Sequence, residues 1–298
     1  MIVYNSQKFK PSYNILPTNT ALIIYRSNND ISEKATFIVE SLTFGLVPLW
    51  AHPKELDPTE TMRNDEIKDV KKIQSKYFNC RKESLLKNSS VWSSAKNRRC
   101  VIPIQGYFEW MKTNNQKIPY FVHSSKNKLL FLAGLYSHNR NYKFLGGRDN
   151  TKSEFYSSFT VITGPASKSD RFDLSWLHDR KPIIIEPGSV EWDDWLNPNK
   201  SWTEELVDTC LNTVQNRGYD EIESYRVTPE VVKTTSEGEH LLKKMETKKS
   251  PQKSIHLFFK SSKRGDPFED QKIVKHIKQE DDNSGKEGAC NIKREKLT

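Results

Sequence analysis

Two side chains of the kinds that move protons near neutral pH occur in distinctive local contexts. Glu109 ends the apolar run GYFEW, where burial would raise the pKa of a carboxyl group toward the range useful for acid–base chemistry. His178 lies in LHDR, and the imidazole group titrates near neutral pH. Each residue also has an ordinary interpretation: Glu109 as a solvated charge at a strand end, and His178 as half of a local ion pair with Asp179.

A second pattern lies near the end of the chain. Gln252, Ile255, Phe258 and Phe259 stand in QKSIHLFF at the spacing with which eukaryotic proteins dock on the replicative sliding clamp, PCNA. One tight helical turn places residues three and four apart on one face, so Ile255 and the two phenylalanines form an apolar plug. Gln252 can then hydrogen-bond beside the pocket. The pattern predicts the sliding clamp as a partner, and its alternative is a stray apolar cluster in a polar tail.

Composition divides the chain into two parts. Only 35% of its 298 residues are hydrophobic, and the shortage is concentrated after residue 232. We therefore expect a folded domain at 1–232 and a disordered basic tail at 233–298, with the clamp motif at 252–259. The net charge of +9 suits a polyanionic partner, although excess lysine also serves solubility.

The cysteines show no spacing typical of a metal site. They are Cys80, Cys100, Cys210 and Cys290. The sequence contains no recognisable secretory signal and no apolar run of about 18 residues that would suit a membrane span. We expect an intracellular protein with reduced thiols, no bound metal, no cofactor and no membrane partner.

The folded part is predicted to be α+β. Short β-branched and aromatic runs predict strands at 21–26, 35–40, 100–110, 118–124, 129–138, 158–164 and 181–187. Helices are predicted at 63–76, 83–96, 190–196 and 204–212. Because strands and helices do not alternate strictly, the pattern favours a mainly antiparallel twisted sheet or barrel flanked by short helices.

Nine segments in a fixed order resemble the successive motifs of one family. They are PSYNILPT (11–18), FGLVPLWA (44–51), NCRKES (79–84), RRCVIPIQGYFEW (98–110), IPYF (118–121), LAGLY (132–136), FTVITGPA (159–166), LHDRKPIII (177–185) and VEWDDWLNP (190–198). The family is that of the SOS-response-associated peptidases (SRAP), and the resemblance covers most of residues 11–230. Its members shield abasic sites in single-stranded DNA through a covalent DNA–protein crosslink, and eukaryotic members can carry clamp-docking motifs.

The resemblance implies roles for several residues. An abasic deoxyribose equilibrates with an open-chain aldehyde, so trapping it needs a nucleophile, a proton shuttle and cations on the flanking phosphates. Glu109 would transfer protons and His178 would assist opening of the sugar. Asn79 would position the nucleophile, and Arg81 would bind the DNA backbone with its planar fork.

Three further residues are predicted to contact DNA. Arg98 and Arg99 would bind phosphates, with exposed loop charges as the alternative interpretation. Trp50 would offer an aromatic face for base stacking, worth ~1–3 kcal/mol per base, and core packing is its alternative.

The residue at position 2 departs from the family pattern. There the family has a cysteine, exposed as the N-terminus, which closes a thiazolidine ring with the aldehyde; this sequence has Ile2. We expect either a longer full-length form that carries Met-Cys-Gly-Arg or a natural variant that binds without crosslinking. Cys80 is a poor substitute, because along an extended strand its side chain points away from the face of Asn79 and Arg81.

These observations favour an abasic-site processing protein that binds single-stranded DNA at damaged replication forks and crosslinks through an N-terminal cysteine in its full-length form. We expect it to be nuclear and monomeric. The family is associated with peptidase and lyase activities, but enzymatic activity of this chain stays an open question without the cysteine. The alternative is a non-catalytic adaptor that binds single-stranded DNA and the sliding clamp.

Overall fold

The computed structural model describes residues 1–27, 36–53, 62–87, 91–113, 116–142 and 155–246. The strands in these ranges are β1 (Ile2–Tyr4), β2 (Thr20–Arg26), β3 (Phe37–Phe44), β4 (Asn79–Arg81), β5 (Arg99–Ile104), β6 (Gly106–Lys112), β7 (Lys117–Ser124), β8 (Leu130–Asn139), β9 (Tyr156–Pro165), β10 (Arg180–Pro182) and β11 (Ile222–Arg226). The α-helices are α1 (Met62–Gln74), α2 (Lys82–Leu85), α3 (Val190–Leu196) and α4 (Glu204–Cys210).

The strands form a large sheet and a small one. The large sheet has the order β1-β3-β2-β5-β8-β9-β10, with β4 paired to β9, and β3 also meets β9 through Thr43 and Phe44. The small sheet has the order β11-β7-β6. Most pairings are antiparallel, whereas β1 and β4 pair in parallel. The predicted α+β class, with a mainly antiparallel sheet and short helices beside it, is confirmed.

Side-chain alternation along the strands supplies two apolar cores. In β5, Cys100 and Ile102 belong to one buried cluster, while Val101 between them belongs to the other. The helices cover the second cluster, to which α3 contributes Trp192 and Trp195. The large sheet is therefore buried on both faces along β5.

The predicted strand at 100–110 is two strands in the structure. The chain changes partners after Ile104, because β5 pairs with β8 in the large sheet and β6 pairs with β7 in the small one. Gly106 permits the change: a Cβ atom there would lie 2.4 Å from Cζ of Phe121 and 2.5 Å from the carbonyl oxygen of Val122. Glycine therefore lets β6 begin in close contact with β7.

Two other predicted elements are shorter than expected. In place of a helix at 83–96, the structure has α2 and a 3-10 helix at Val91–Ala95, with residues 88–90 outside the described ranges. In place of a strand at 181–187, it has β10 and one isolated bridge between Ile184 and Leu132. Ile183, Ile184 and Ile185 are nevertheless all buried, which explains why an apolar run resembled a strand.

The packed chain continues beyond residue 232, where sequence analysis placed the domain boundary. The compact unit runs from Met1 to Glu246. Leu241 is fully buried beside Val231 and Phe121, and the Tyr225 hydroxyl donates to the carbonyl oxygen of Leu242 at 2.8 Å. Residues 247–298 lie outside the described ranges, so their assignment as a disordered tail stays a prediction.

A buried ion pair anchors the loop between β9 and β10. Nζ of Lys181 lies 2.9 Å from Oδ2 of Asp170, and both side chains are only 1% exposed. The ammonium group lies 4.0 Å from the ring centroid of Tyr219, and Asp170 also accepts from the backbone N–H of Ser167 at 2.8 Å. Burial lowers the pKa of Lys181, and the Asp170 carboxylate offsets part of that shift. The loop that leads to His178 is thereby tied to β10.

We expect Lys181→Met to lower the free energy of unfolding by roughly 3–5 kcal/mol, because it leaves the Asp170 carboxylate buried without a counter-charge. The double variant Lys181→Met with Asp170→Asn should regain part of that loss. Urea denaturation measures both effects. Arg171→Met is the matched control, since the Arg171–Asp220 pair is partly exposed and should contribute about 1 kcal/mol or less. Equal losses in Lys181→Met and Arg171→Met would contradict the account.

Candidate functional site

The site is organised by the end of β9. Thr163 pairs with Arg81 of β4 on one edge and with Pro182 of β10 on the other. Because one strand residue can pair on both edges, β4 and β10 flank the same stretch of backbone. Asn79 and Arg81 are therefore brought beside the segment that carries His178 and Arg180.

Glu109 is half-buried on β6 and lies within electrostatic range of His178. Burial raises the pKa of its carboxyl group above the usual value. A hydrogen bond from the backbone N–H of Trp110, 3.0 Å from Oε1, and the nearby His178 each offset part of that rise. The prediction that the environment of Glu109 raises its pKa is confirmed. A carboxyl group with a raised pKa can hold and release a proton closer to neutral pH.

The imidazole of His178 is held by local contacts at one nitrogen. Nδ1 lies 2.9 Å from Oδ1 of Asp179 and 3.0 Å from the backbone nitrogen of Arg180. Because Asp179 is 87% exposed, its ion pair with His178 contributes little to stability. Proton exchange with a ligand therefore falls to Nε2. His178 thus forms the local ion pair with Asp179 and also lies within electrostatic range of Glu109, so the two interpretations do not exclude each other.

Arg180 links the two edges of β9. Its guanidinium donates to both carboxylate oxygens of Glu83, at 3.2 and 3.0 Å, and to the carbonyl oxygen of Thr163 at 2.7 Å. Partial burial alone would raise the pKa of Glu83, but hydrogen bonds from Arg180 and the charges of Arg180 and Arg81 outweigh it and lower the pKa. Hydrogen bonds thus join His178 to the backbone of Arg180 and the Arg180 guanidinium to Glu83. Glu109 lies within electrostatic range of His178, and Arg81 within range of Glu83.

The side chains of β4 alternate as an extended strand requires. Asn79 and Arg81 are exposed, whereas Cys80 between them is fully buried in the apolar core. Burial also raises the pKa of the Cys80 thiol well above its usual value. The prediction that Cys80 faces away from Asn79 and Arg81 is confirmed, and the thiol is a poor nucleophile in this position.

Trp50 is exposed and lies beside a different part of the surface. Its side chain is 58% exposed and lines a cavity with His52, Lys72 and Lys76. The turn that contains Trp50 is held by Asn139, whose Nδ2 donates to the carbonyl oxygens of Pro48 and Ala51 at 2.6 and 2.9 Å. Core packing does not account for Trp50, and its ring is available to a ligand.

Arg99 does not suit the predicted phosphate contact. Its side chain is buried, and it donates to the carbonyl oxygens of Trp195 at 2.7 Å, Lys200 at 2.9 Å and Asn197. These carbonyls lie at and beyond the C-terminus of α3, where a cation compensates unpaired acceptors and the helix dipole. The prediction that Arg99 binds DNA is therefore corrected: the residue anchors a helix end.

Arg98 lies apart from the group that contains Glu109 and His178. It is half-buried and its Nη1 donates to the carbonyl oxygen of Ser94 at 3.4 Å. The pKa of His138 is lowered first by burial, and the nearby Arg98 charge lowers it further. The structure thus groups Arg98 with His138 on β8, so its phosphate contact stays a prediction that is separate from the central site.

Sequence reasoning missed three residues at the site. Arg180 and Glu83 form the bridge across β9, and Trp176 lies 48% exposed just before His178. Arg180 and Glu83 lie within the LHDRKPIII and NCRKES segments, but only the fold brings the two segments together. A tryptophan in a polar loop next to a candidate histidine is a signal that could have identified Trp176.

Comparison with known proteins assigns the family. The SOS response associated peptidase (SRAP) model matches residues 2–234. The chain therefore belongs to the SRAP family. A solved protein from Bacteroides thetaiotaomicron has a similar fold, with a TM-score of 0.55 and 20% identity over 77% of this chain and 82% of that one.

Several relatives are named abasic site processing proteins. One from Saccharomyces cerevisiae is 34% identical over 79% of this chain and 53% of its own length. One from Xenopus tropicalis is 25% identical over 71% of this chain and 65% of its own length. One from Bacillus subtilis is 26% identical over 74% of this chain and 80% of its own length. The chain thus spans about half the length of the yeast relative. All three of these relatives are named for abasic-site processing.

Two kinds of feature are absent from the described residues. No helix among them has the length and apolar character needed to cross a bilayer. Within the same ranges, no group of at least three His, Cys, Asp or Glu side chains is arranged to hold a metal ion.

Glu109→Gln should stabilise the protein at neutral pH. A carboxyl group whose pKa is raised on folding binds its proton more tightly in the folded state, so stability is greatest below the unfolded pKa and falls as pH rises toward the folded value. The amide cannot ionise, so the stability gained should grow with pH by about 1.4 kcal/mol for each unit of raised pKa. Urea denaturation from pH 4 to pH 8 measures this difference.

The control for this prediction is Glu223→Gln, an exposed glutamate on β11 of the same small sheet. It should leave the pH dependence of stability unchanged. A Glu109→Gln variant whose unfolding curve follows that of the unsubstituted chain at every pH would contradict the raised pKa.

Proposed function

We propose that this protein recognises abasic sites in single-stranded DNA. The observation that carries the proposal is the grouping of Glu109 and His178, which lie within electrostatic range of each other, with the Arg180–Glu83 ion pair and the exposed Arg81. It combines a proton-transfer pair with a cation that can bind a flanking phosphate. Membership of the SRAP family and the names of the relatives support the same substrate.

The residues suit the chemistry of an abasic sugar. The lesion equilibrates between a closed ring and an aldehyde, and ring opening needs proton transfer at the ring oxygen. Glu109, whose raised pKa keeps a proton available, and Nε2 of His178 would carry out this transfer. Arg81 would bind a phosphate beside the lesion, and Asn79 on the same face of β4 would orient the sugar. Trp50 would stack on a base further along the strand.

The described residues provide no accessible thiol for a thiazolidine crosslink. Ile2 has no thiol, and it pairs with Ile38 near the start of β3, away from the end of β9. Cys80, Cys100 and Cys210 are buried, and burial raises the pKa of Cys210 to about 12. We therefore propose covalent capture only for a form of the protein whose N-terminal residue is a cysteine. The buried thiols favour the second candidate function, a non-catalytic adaptor that recognises the lesion reversibly.

The clamp motif extends the proposal to the replication fork. Gln252, Ile255, Phe258 and Phe259 lie outside the described residues, and their spacing in the sequence is the support for docking on PCNA. We propose that the protein acts in the nucleus, tethered to the clamp through this segment while residues 1–246 contact DNA.

The first test is equilibrium binding. We expect the 298-residue chain to bind an oligonucleotide with one abasic site more tightly than the same strand with thymine, and to release it in heat and detergent. His178→Ala should reduce the preference for the abasic strand, while His240→Ala, an exposed histidine on a 3-10 helix, should not. Fluorescence anisotropy measures affinity, and a denaturing gel measures crosslinking. Equal affinity for the two strands would contradict lesion recognition, and a band resistant to heat and detergent would contradict reversible binding.

The second test concerns the clamp. Burial of Ile255, Phe258 and Phe259 favours docking, and the entropy lost when the backbone is ordered offsets much of that gain. We therefore expect micromolar affinity, and Phe258→Ala with Phe259→Ala should abolish binding to PCNA without changing DNA affinity. Phe268→Ala, in the same tail, is the matched control and should bind normally. Calorimetry with the full chain measures this, and clamp binding that survives the double substitution would make the motif a stray apolar cluster.

A further inference from the structure

Trp176 is a large apolar side chain that is exposed on a well-anchored loop. Its side chain is 48% exposed, whereas Leu174 and Leu177 on either side are 3% and 4% exposed. The backbone N–H and the hydroxyl of Ser175 both donate to Oδ1 of Asp173, at 2.7 and 2.6 Å. The loop is thus fixed by buried leucines and local hydrogen bonds, so the exposed position of Trp176 is a defined one.

The ring of Trp176 borders the proton-transfer pair. It contacts the ring of Tyr120 edge to face, with centroids 5.3 Å apart and planes at 81°. Tyr120 pairs directly with Glu109 in the ladder between β6 and β7. Trp176 also precedes His178 closely in the same loop. The aromatic pair therefore forms one wall beside Glu109 and His178.

The charges around this wall favour a nucleic acid as the occupant. Lys112 lies within electrostatic range of Glu109, and Lys168 lies within electrostatic range of Asp173. Arg81 is exposed on the far edge of β9. An apolar protein surface would gain nothing from these three cations. A DNA strand offers phosphates to the cations and flat bases to the indole.

We propose that Trp176 stacks on the base next to the abasic nucleotide when the lesion sugar lies at Glu109 and His178. In an intact strand that base stacks on its neighbour, but at an abasic site the neighbour is missing and one face is open to the indole. Trp176 thereby contributes selectivity for a gap in the base stack. This inference rests on the proposed recognition of abasic DNA.

The first measurement compares variants on abasic and intact strands by fluorescence anisotropy. Trp176→Ala should weaken abasic binding about five- to a hundredfold, the loss expected for one stacked base, and Trp176→Phe should retain most of the affinity. The slope of affinity against salt should stay unchanged in Trp176→Ala, because stacking releases no counterions, whereas Arg81→Ala should reduce it by about 0.7. Tyr13→Ala, an exposed aromatic in another loop, is the control.

The second measurement leaves Trp176 intact and removes a base next to the lesion. Two further oligonucleotides each carry a second abasic nucleotide, on the 5′ or the 3′ side of the first. The unsubstituted chain should lose affinity for one of the two, and Trp176→Ala should bind that strand as it binds the single lesion. Urea denaturation checks that Trp176→Ala retains its fold.

The outcomes separate the inference from the function on which it rests. If the unsubstituted chain does not prefer the abasic strand, the proposed function fails. If it prefers that strand and Trp176→Ala keeps the full preference, or if both proteins respond equally to removal of either neighbouring base, only the role of Trp176 is overturned.

Discussion

Pairing of β9 on both of its edges is the constraint on which the site depends. Thr163 meets Arg81 on one edge and Pro182 on the other, so two segments distant in sequence become neighbours across one strand. Arg180 then joins the two edges by binding the Thr163 carbonyl oxygen and the Glu83 carboxylate. If β9 lost either neighbour, Arg81 would no longer lie beside the segment that carries His178 and Arg180.

Cations serve different physical purposes in this fold. Lys181 is fully buried against Asp170 and anchors the loop that carries His178. Arg99 donates hydrogen bonds to carbonyl groups at and beyond the end of α3. Neither is placed to contact a phosphate, because both side chains are buried and hydrogen-bonded inside the fold. Arg81 is exposed instead, and the nearby Glu83 carboxylate already accepts hydrogen bonds from Arg180. The net positive charge of the chain therefore overstates the number of cations that are free to meet an anionic ligand, because burial removes some of them from the surface.

The chemistry of the site follows from uneven solvation. Glu109 loses solvent on β6 while His178 stays partly exposed in its loop, so the carboxyl group retains its proton to higher pH and the imidazole remains accessible. The thiols of Cys80 and Cys100 are inaccessible, because both are buried in apolar cores. Burial there also disfavours the reactive thiolate form. The same fold thus raises the pKa of one carboxyl group beside an accessible imidazole and disfavours the thiolate forms of Cys80 and Cys100.

Local sequence patterns determined the fold class, most strands, and the opposite orientations of Cys80 and Arg81, because alternation and apolar runs depend on near neighbours. They also identified Glu109 and His178 as candidates by residue type and context. Tertiary structure alone decided that β5 and β6 belong to different sheets and that Leu241 packs inside. It also turned Arg99 into a helix anchor and brought Arg180 to Glu83. Those outcomes depend on contacts between segments far apart in the chain, and residue type and spacing carry no information about which distant partner a side chain meets.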